Sequence, residues 1–154
     1  MLMQTQQEDE WCWAAVSVSV DHYFNAQSTK TQCQVVQAVL QNAGCCGNPD
    51  TCDDPARLQD ALTNVQRLNQ ILLRPLSFSE IQAQLNADLP VCARIAWPNG
   101  GAHFVAVDGW SGSEANPQVH VADPLFPSAT HGYIEFVSAY RGNGQWTATF
   151  LVQP

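Results

Sequence analysis

Three residues of different types stand where a thiol nucleophile and its partners could assemble. Cys12 lies at the start of an apolar segment, residues 11–24, that is typical of a buried helix. The positive end of a helix dipole stabilises a thiolate, and an oriented imidazole can accept the thiol proton. Cys12 is therefore a candidate nucleophile, although a single cysteine at a helix start is more often a structural residue.

A base and an orienting acid are expected on neighbouring strands in the second half of the chain. His103 follows the glycine pair Gly100 and Gly101 and begins an apolar strand, so its imidazole should lie at a sheet edge. Asp123 ends the next predicted strand, directly before Pro124, and a buried carboxylate there needs a partner such as an imidazole N–H. The alternatives are a hydrogen-bonded core histidine and an aspartate that starts a turn.

The three other histidines fit the role of the base less well. His22 falls on the same helix as Cys12, about 15 Å further along its axis. His120 should point to the opposite sheet face from the acid, because side chains alternate along a strand. His131 falls in a predicted loop without an orienting acid. We therefore predict that His103 is the base.

Three motifs follow one another in the order Cys, His, Asp along the chain. They are QQEDEWCWAA at residues 6–15, GGAHFVAV at residues 100–107 and ADP at residues 122–124. Together they resemble the papain-like cysteine peptidases. The resemblance extends to the compact bacterial group that includes plant-pathogen avirulence effectors and the leader peptidases of bacteriocin exporters. It spans residues 6–124, and the cysteine cluster around residues 45–47 resembles secreted bacterial members.

The resemblance implies a thiol protease, a hydrolase in which Cys12, His103 and Asp123 form a catalytic triad and cleave peptide bonds through a thioester acyl-enzyme. In that family a glutamine six residues before the nucleophile donates its amide to the oxyanion, and Gln6 has this spacing. Many papain relatives carry Asn where this chain has Asp123, but the compact bacterial groups accept Asp. No metal or organic cofactor is expected. The expected partner is a protein or peptide substrate.

Two other classes of function remain open from the sequence. Transglutaminases, deamidases and cell-wall amidases use the same residue types in the same order and share the acyl-enzyme, so the sequence does not separate them from peptidases. A non-enzymatic binding module stapled by disulfides is the second alternative. It predicts that Cys12 is oxidised, or buried and inert.

Four of the six cysteines are clustered within residues 33–52. Disulfides among Cys33, Cys45, Cys46 and Cys52 are favoured over zinc, since adjacent cysteines have poor geometry for one metal ion. Disulfides would indicate a protein that is secreted or delivered outside the producing cell, whereas reduced thiols would indicate the cytoplasm. Cys92 lies in an apolar, strand-like run and is predicted to be a small buried hydrophobic residue.

Length and composition predict one domain over residues 1–154. With 45% hydrophobic and 13% charged residues, the chain is not expected to be disordered. The net charge of −8 disfavours nucleic acid as a partner, and no apolar run is long enough to span a membrane. The start of the chain lacks signal-peptide features, so we expect either a cytosolic protein or one that begins after a removed segment. A monomer is expected.

Helices are predicted in the first half of the chain and strands in the second. The predicted helices cover residues 11–24 and 29–43, a third segment capped by Asp54 that runs to residue 65, and a fourth opened by a capping box at Ser77. The predicted strands cover residues 91–97, 103–110, 118–123, 132–140 and 146–152. Because helices and strands do not alternate, we predict an α+β, papain-like fold. In it the nucleophile lies on a buried helix that packs against a C-terminal antiparallel sheet.

Overall fold

A computed structural model describes all of residues 1–154 and has the predicted α+β architecture. The helices are α1 (Cys12–Phe24), α2 (Gln32–Leu40), α3 (Leu58–Asn64), α4 (Phe78–Asn86) and α5 (Tyr133–Ser138), with a 3₁₀ helix at Pro49–Cys52. The strands are β1 (Leu68–Leu72), β2 (Val91–Ala96), β3 (Ala102–Ser113), β4 (Asn116–Ala122), β5 (Ala129–Gly132) and β6 (Gln145–Val152). None of the helices is both long and apolar enough to cross a membrane.

The six strands form one sheet in the order β1-β6-β2-β3-β4-β5, and every neighbouring pair is antiparallel. Both faces of the sheet are buried. Alternate residues such as Cys92 and Phe104 pack with α1, α2 and α3, whereas Val105 and Ile95 pack with α4 and α5. The antiparallel sheet and the nucleophile-bearing helix packed against it were both predicted.

Helix α1 is buried on all sides, as its uniform apolar character predicts. Every residue from Cys12 to Asp21 is buried. The polar residues within it are satisfied locally, since the Ser17 and Ser19 hydroxyls donate to carbonyls one turn earlier, and Asp21 pairs with Arg67 at 3.0 Å. This helix carries the candidate nucleophile at its first residue.

The predicted strand over residues 132–140 is wrong, because Tyr133–Ser138 forms α5 and the strand ends at Gly132. Phe136 and Tyr140 are completely buried while Ile134 is 67% exposed. Within α5, Phe136 therefore lies on the inward face and Ile134 on the outward face, and packing of the inward face overrides the strand propensity of the aromatic and β-branched residues. The short edge strand β1 was not predicted, because its middle residues are exposed and two of them, Asn69 and Gln70, are polar.

Two predicted helices are shorter in the structure. Helix α2 covers Gln32–Leu40, with a complete capping box at Thr31, rather than residues 29–43. Helix α3 begins at Leu58 with Arg57 as its N-cap, so the prediction of Asp54 as the cap is wrong. The Asp54 carbonyl instead accepts a hydrogen bond from the Trp13 indole at 3.2 Å. The capping box at Ser77 is confirmed.

The four clustered cysteines form two disulfides, Cys33–Cys46 and Cys45–Cys52, as the sequence favoured. Cys12 and Cys92 remain free. Cys92 is completely buried on β2, and burial raises the pKa of its thiol to about 12. It is therefore an inert core thiol, as predicted.

Candidate active site

The three candidate residues meet at one end of the sheet. Cys12 is the first residue of α1, and α1 packs against β3. His103 is the second residue of β3, and Asp123 directly follows the last residue of β4. Because β3 and β4 are antiparallel neighbours, the start of one strand and the end of the other lie at the same edge. Cys12 and His103 line one cavity at this edge.

The His103 imidazole is paired directly with the Asp123 carboxylate. Its Nε2 lies 2.8 Å from Asp123 Oδ1, and the Asp123 side chain is completely buried. Burial alone would lower the pKa of His103. The hydrogen bonds and charges of Asp123 and Cys12 outweigh burial and raise this pKa to about 9. The imidazole is therefore protonated at neutral pH.

Cys12 is the second side chain that acts on the His103 ring. Since Nε2 is used by Asp123, Nδ1 is the atom left for the thiol. The Cys12 side chain contributes to the raised pKa of His103 through a hydrogen bond and through its charge. The geometry permits proton exchange between sulfur and imidazole.

Asp123 is held by four donors. Besides His103, its Oδ1 accepts the backbone N–H groups of Leu125 at 2.8 Å and Phe126 at 3.2 Å, while its Oδ2 accepts the Tyr140 hydroxyl at 2.7 Å. Burial alone would raise the pKa of Asp123, but the hydrogen bonds from His103, Tyr140 and the backbone hold this pKa below its usual value. The two interpretations from the sequence, a turn-starting aspartate and a partner for the imidazole, therefore both describe this carboxylate.

Two neighbours of Asp123 were not predicted from the sequence. Tyr140 is buried, and its contact with Asp123 raises the pKa of its own hydroxyl, as does burial. The Arg141 guanidinium lies 3.8 Å from Asp123 Oδ2 and stacks over the Phe126 ring, 3.7 Å from its centroid. Tyr140 and Arg141 come shortly after α5, which forms where the sequence predicts a strand over residues 132–140. No local pattern in the sequence marks them as neighbours of this carboxylate.

Gln6 lies beside the site, but its amide is engaged by the backbone. The backbone N–H of Gln6 donates to the Pro124 carbonyl at 2.9 Å, which places Gln6 next to Asp123. The side-chain Nε2 donates to the carbonyls of Glu8 at 3.0 Å and Asp9 at 2.6 Å, and the buried Oε1 has no partner. Donation to an oxyanion would require Gln6 to exchange one of these bonds, so that role stays a prediction.

The other three histidines lie away from this edge. His22 contacts Gln4 and the Lys30 carbonyl. His120 pairs with Asp108 at 2.6 Å, on the other side of β3 and β4 from the predicted acid. His131 falls in β5 rather than in a loop, and it does have a carboxylate neighbour, because Glu135 lies at 3.5 Å. None of the three lines a cavity that reaches Cys12.

Two cavities meet at Cys12 and share it with Glu10, Gly101 and Ala102. The larger, of about 620 Å³, is mainly apolar and extends past Phe104 to Leu73. The smaller, of about 480 Å³, lies on the side of His103 and is lined by both charged and aromatic residues, including Phe126 and Arg141. A cleft of this kind gives an extended chain room on both sides of the sulfur.

The site combines a free cysteine at the start of a buried helix with a histidine–aspartate pair at the edge of an antiparallel sheet. This is the arrangement of the papain-like cysteine proteases. Comparison with protein-family models agrees with this class. The family described as papain-like cysteine protease AvrRpt2 matches residues 1–141 of the 154. The chain therefore belongs to that family and is a cysteine protease, as the sequence motifs indicated. Among the curated proteins compared with it, none matches the chain.

Proposed function

We propose that the protein is an endopeptidase in which Cys12 and His103 act as a thiolate–imidazolium pair, oriented by Asp123. The contact that carries this proposal is the 2.8 Å bond between His103 Nε2 and Asp123, because it engages Nε2 and leaves Nδ1 for the thiol. The raised pKa of His103, about 9, favours the protonated imidazole and hence the ion pair at neutral pH.

In the proposed reaction the Cys12 thiolate attacks the scissile carbonyl carbon. Cys12 is the first residue of α1, so its backbone N–H has no acceptor within the helix and is available to the oxyanion. Gln6 is the predicted second donor. His103 gives its proton to the leaving amine, which leaves a thioester on Cys12. Water then attacks the thioester and passes one proton to His103, the C–S bond breaks, and the product acid leaves as the thiolate re-forms beside the protonated imidazole.

The cleft supports cleavage within a protein or peptide chain. Cavities of about 620 and 480 Å³ extend from Cys12 in two directions, so residues on both sides of the scissile bond can be bound. The two disulfides support the further proposal that the protein is secreted or delivered outside the producing cell. A monomer without nucleic acid or membrane partners stays our prediction.

The remaining thiol-dependent alternatives differ only in the acyl donor and in the group that attacks the thioester. Mass spectrometry of a reacted protein substrate separates them. New termini mean peptide-bond hydrolysis, a gain of about one mass unit means deamidation of glutamine or asparagine, and crosslinked products mean acyl transfer to an amine. We expect new termini. Deamidated or crosslinked products without chain cleavage would replace the peptidase proposal.

Stoichiometric labelling by an epoxysuccinyl peptide tests the nucleophile itself. We expect one label per chain, on Cys12, since Cys92 is completely buried and the other four cysteines are paired. Peptide mapping identifies the modified residue. Labelling at Cys92, or no labelling of a folded protein, would contradict the proposed site and favour the inert thiol expected of a binding module.

The pH dependence of peptide hydrolysis should report the protonated imidazole. We expect kcat/KM to be level at neutral pH and to fall above pH 9, because the pKa of His103 is about 9 and the deprotonated ring cannot protonate the leaving amine. The measurement is initial rate against pH at low substrate concentration. The H120Q variant is the control, since His120 pairs with a different carboxylate and should leave the profile unchanged. A decline already at pH 7 in the wild-type enzyme would contradict the assignment.

A further inference from the structure

We propose that the segment from Cys45 to Asp54, termed here the disulfide loop, holds the start of α1 in the position that the nucleophile needs, with Asp53 as a positioning residue. The inference rests on the proposed function, since it treats Cys12 as the nucleophile. It adds to that function a requirement for an intact Cys45–Cys52 disulfide beside a reduced Cys12.

Three hydrogen bonds join the disulfide loop to the residues around Cys12. The Glu10 backbone N–H donates to Asp53 Oδ1 at 2.7 Å. The Trp11 indole donates to the Cys52 carbonyl at 2.8 Å in a fully buried contact, and the Trp13 indole donates to the Asp54 carbonyl at 3.2 Å. Successive loop residues therefore bind the chain on both sides of the nucleophile.

These contacts matter because α1 has no N-terminal cap of its own. Its N-cap residue is Trp11, which makes no side-chain capping bond. Helices α2 and α4, by contrast, are each fixed by a complete capping box, from Thr31 and Ser77. Beside one local bond, from the Trp11 backbone N–H to the Glu8 carbonyl at 3.2 Å, the acceptors around the start of α1 come from the disulfide loop, which is distant in sequence.

The disulfide loop has little regular structure to fix its own position. Its only helical element is the 3₁₀ turn Pro49–Cys52, and its backbone hydrogen bonds, such as Thr51 N–H to the Asn48 carbonyl, are local. The Cys45–Cys52 disulfide is almost completely buried in the core cluster that contains Trp11 and Trp13. Closing this short loop restricts the conformations open to Asp53 and to the Cys52 carbonyl.

The Cys33–Cys46 disulfide offers an internal comparison. It ties the loop to α2, Cys46 is exposed, and the Cys46 sulfur contacts Gln37 of α2 rather than the residues around Cys12. Reduction of Cys45–Cys52 by a dithiol consumes two electrons, forms two thiols and oxidises the reagent to its own disulfide. We infer that this reduction lowers activity although Cys12 stays a thiol, whereas loss of Cys33–Cys46 has a smaller effect.

The first test compares Asp53→Ala with Asp53→Asn, which keeps an acceptor oxygen for the Glu10 N–H. We expect D53A to lower kcat about tenfold with KM little changed, because a small displacement of the nucleophile is costly. The rate of Cys12 alkylation by iodoacetamide should fall in parallel. D53N should stay within about twofold of the wild type, as should D50A, which removes an exposed carboxylate of the same loop. Unchanged kcat and alkylation rate in a folded D53A would overturn the inference.

The second test removes each disulfide in turn. C45A/C52A should lose at least about tenfold in kcat and in the alkylation rate of Cys12, and C33A/C46A less than about threefold. Equal effects of the two pairs would overturn the inference. Should C45A/C52A fail to fold, the Asp53 variants decide alone. An active C12A variant would refute the proposed function itself, whereas an inactive C12A with an unaffected D53A would refute only the positioning role.

Discussion

The C12A variant should lose peptidase activity, with kcat/KM reduced by about 10⁴-fold or more, because no other group can form the thioester. The fold should survive, since Cys12 contributes one small, nearly buried side chain at the end of a helix whose next nine residues remain packed. The measurements are hydrolysis of a protein substrate and the thermal unfolding midpoint of the purified variant.

The chain provides a matched control in C92A. Cys92 is the other free cysteine and is also buried, but it lies on β2 within the core and lines neither cavity that reaches Cys12. We expect C92A to lose about 1 kcal/mol of stability, for the missing sulfur, and to keep its activity. Peptidase activity in C12A, or its loss in a folded C92A, would move the nucleophile away from Cys12.

The D123N variant should lose between about 10²- and 10⁴-fold in kcat, because a neutral amide neither stabilises the imidazolium nor fixes the ring with Nδ1 toward the thiol. The alkaline limb of the pH profile should move to lower pH, since Asp123 is a main cause of the raised pKa of His103. Stability should also fall by about 1–3 kcal/mol, because an amide accepts only part of the hydrogen bonds from Leu125, Phe126 and Tyr140.

The variant D108N separates these effects from the general loss of a buried carboxylate. Asp108 is also largely buried and pairs with a histidine, His120, but the pair lies outside the cleft. D108N should lose stability while kcat and the position of the alkaline limb stay unchanged. If D108N and D123N lowered kcat equally, the role of Asp123 would be structural only.

The elements that position the site could be predicted because each has a strong local signal. The uniform apolar run after Cys12 predicts a buried helix, and glycines before His103 and a proline after Asp123 mark the two strand ends. Since antiparallel neighbours bring such ends together, the contact between His103 and Asp123 followed from the order of the strands. The family resemblance then linked this pair to Cys12.

The surroundings of Asp123 could not be predicted, because they depend on contacts between distant segments. Tyr140 reaches the carboxylate only because Tyr133–Ser138 is a helix that packs on the sheet, and the aromatic and β-branched residues there gave the opposite local signal. The sequence also did not specify which cysteines pair, since four cysteines permit three connectivities. The hydrogen bonds from Glu10, Trp11 and Trp13 to the disulfide loop join segments that are distant in sequence, and no local pattern predicts them.

The burial of the first ten residues of α1 has an evolutionary consequence. Because each side chain from Trp13 to Asp21 is enclosed, a change of size at most of these positions would disturb the packing of the helix that carries Cys12. Selection for new substrates would therefore be confined to the rims of the cleft, where side chains such as Leu73 and Leu125 are exposed to solvent. In divergent members of the lineage we expect the amino-acid sequence of α1 to vary little and the residues at these rims to vary more.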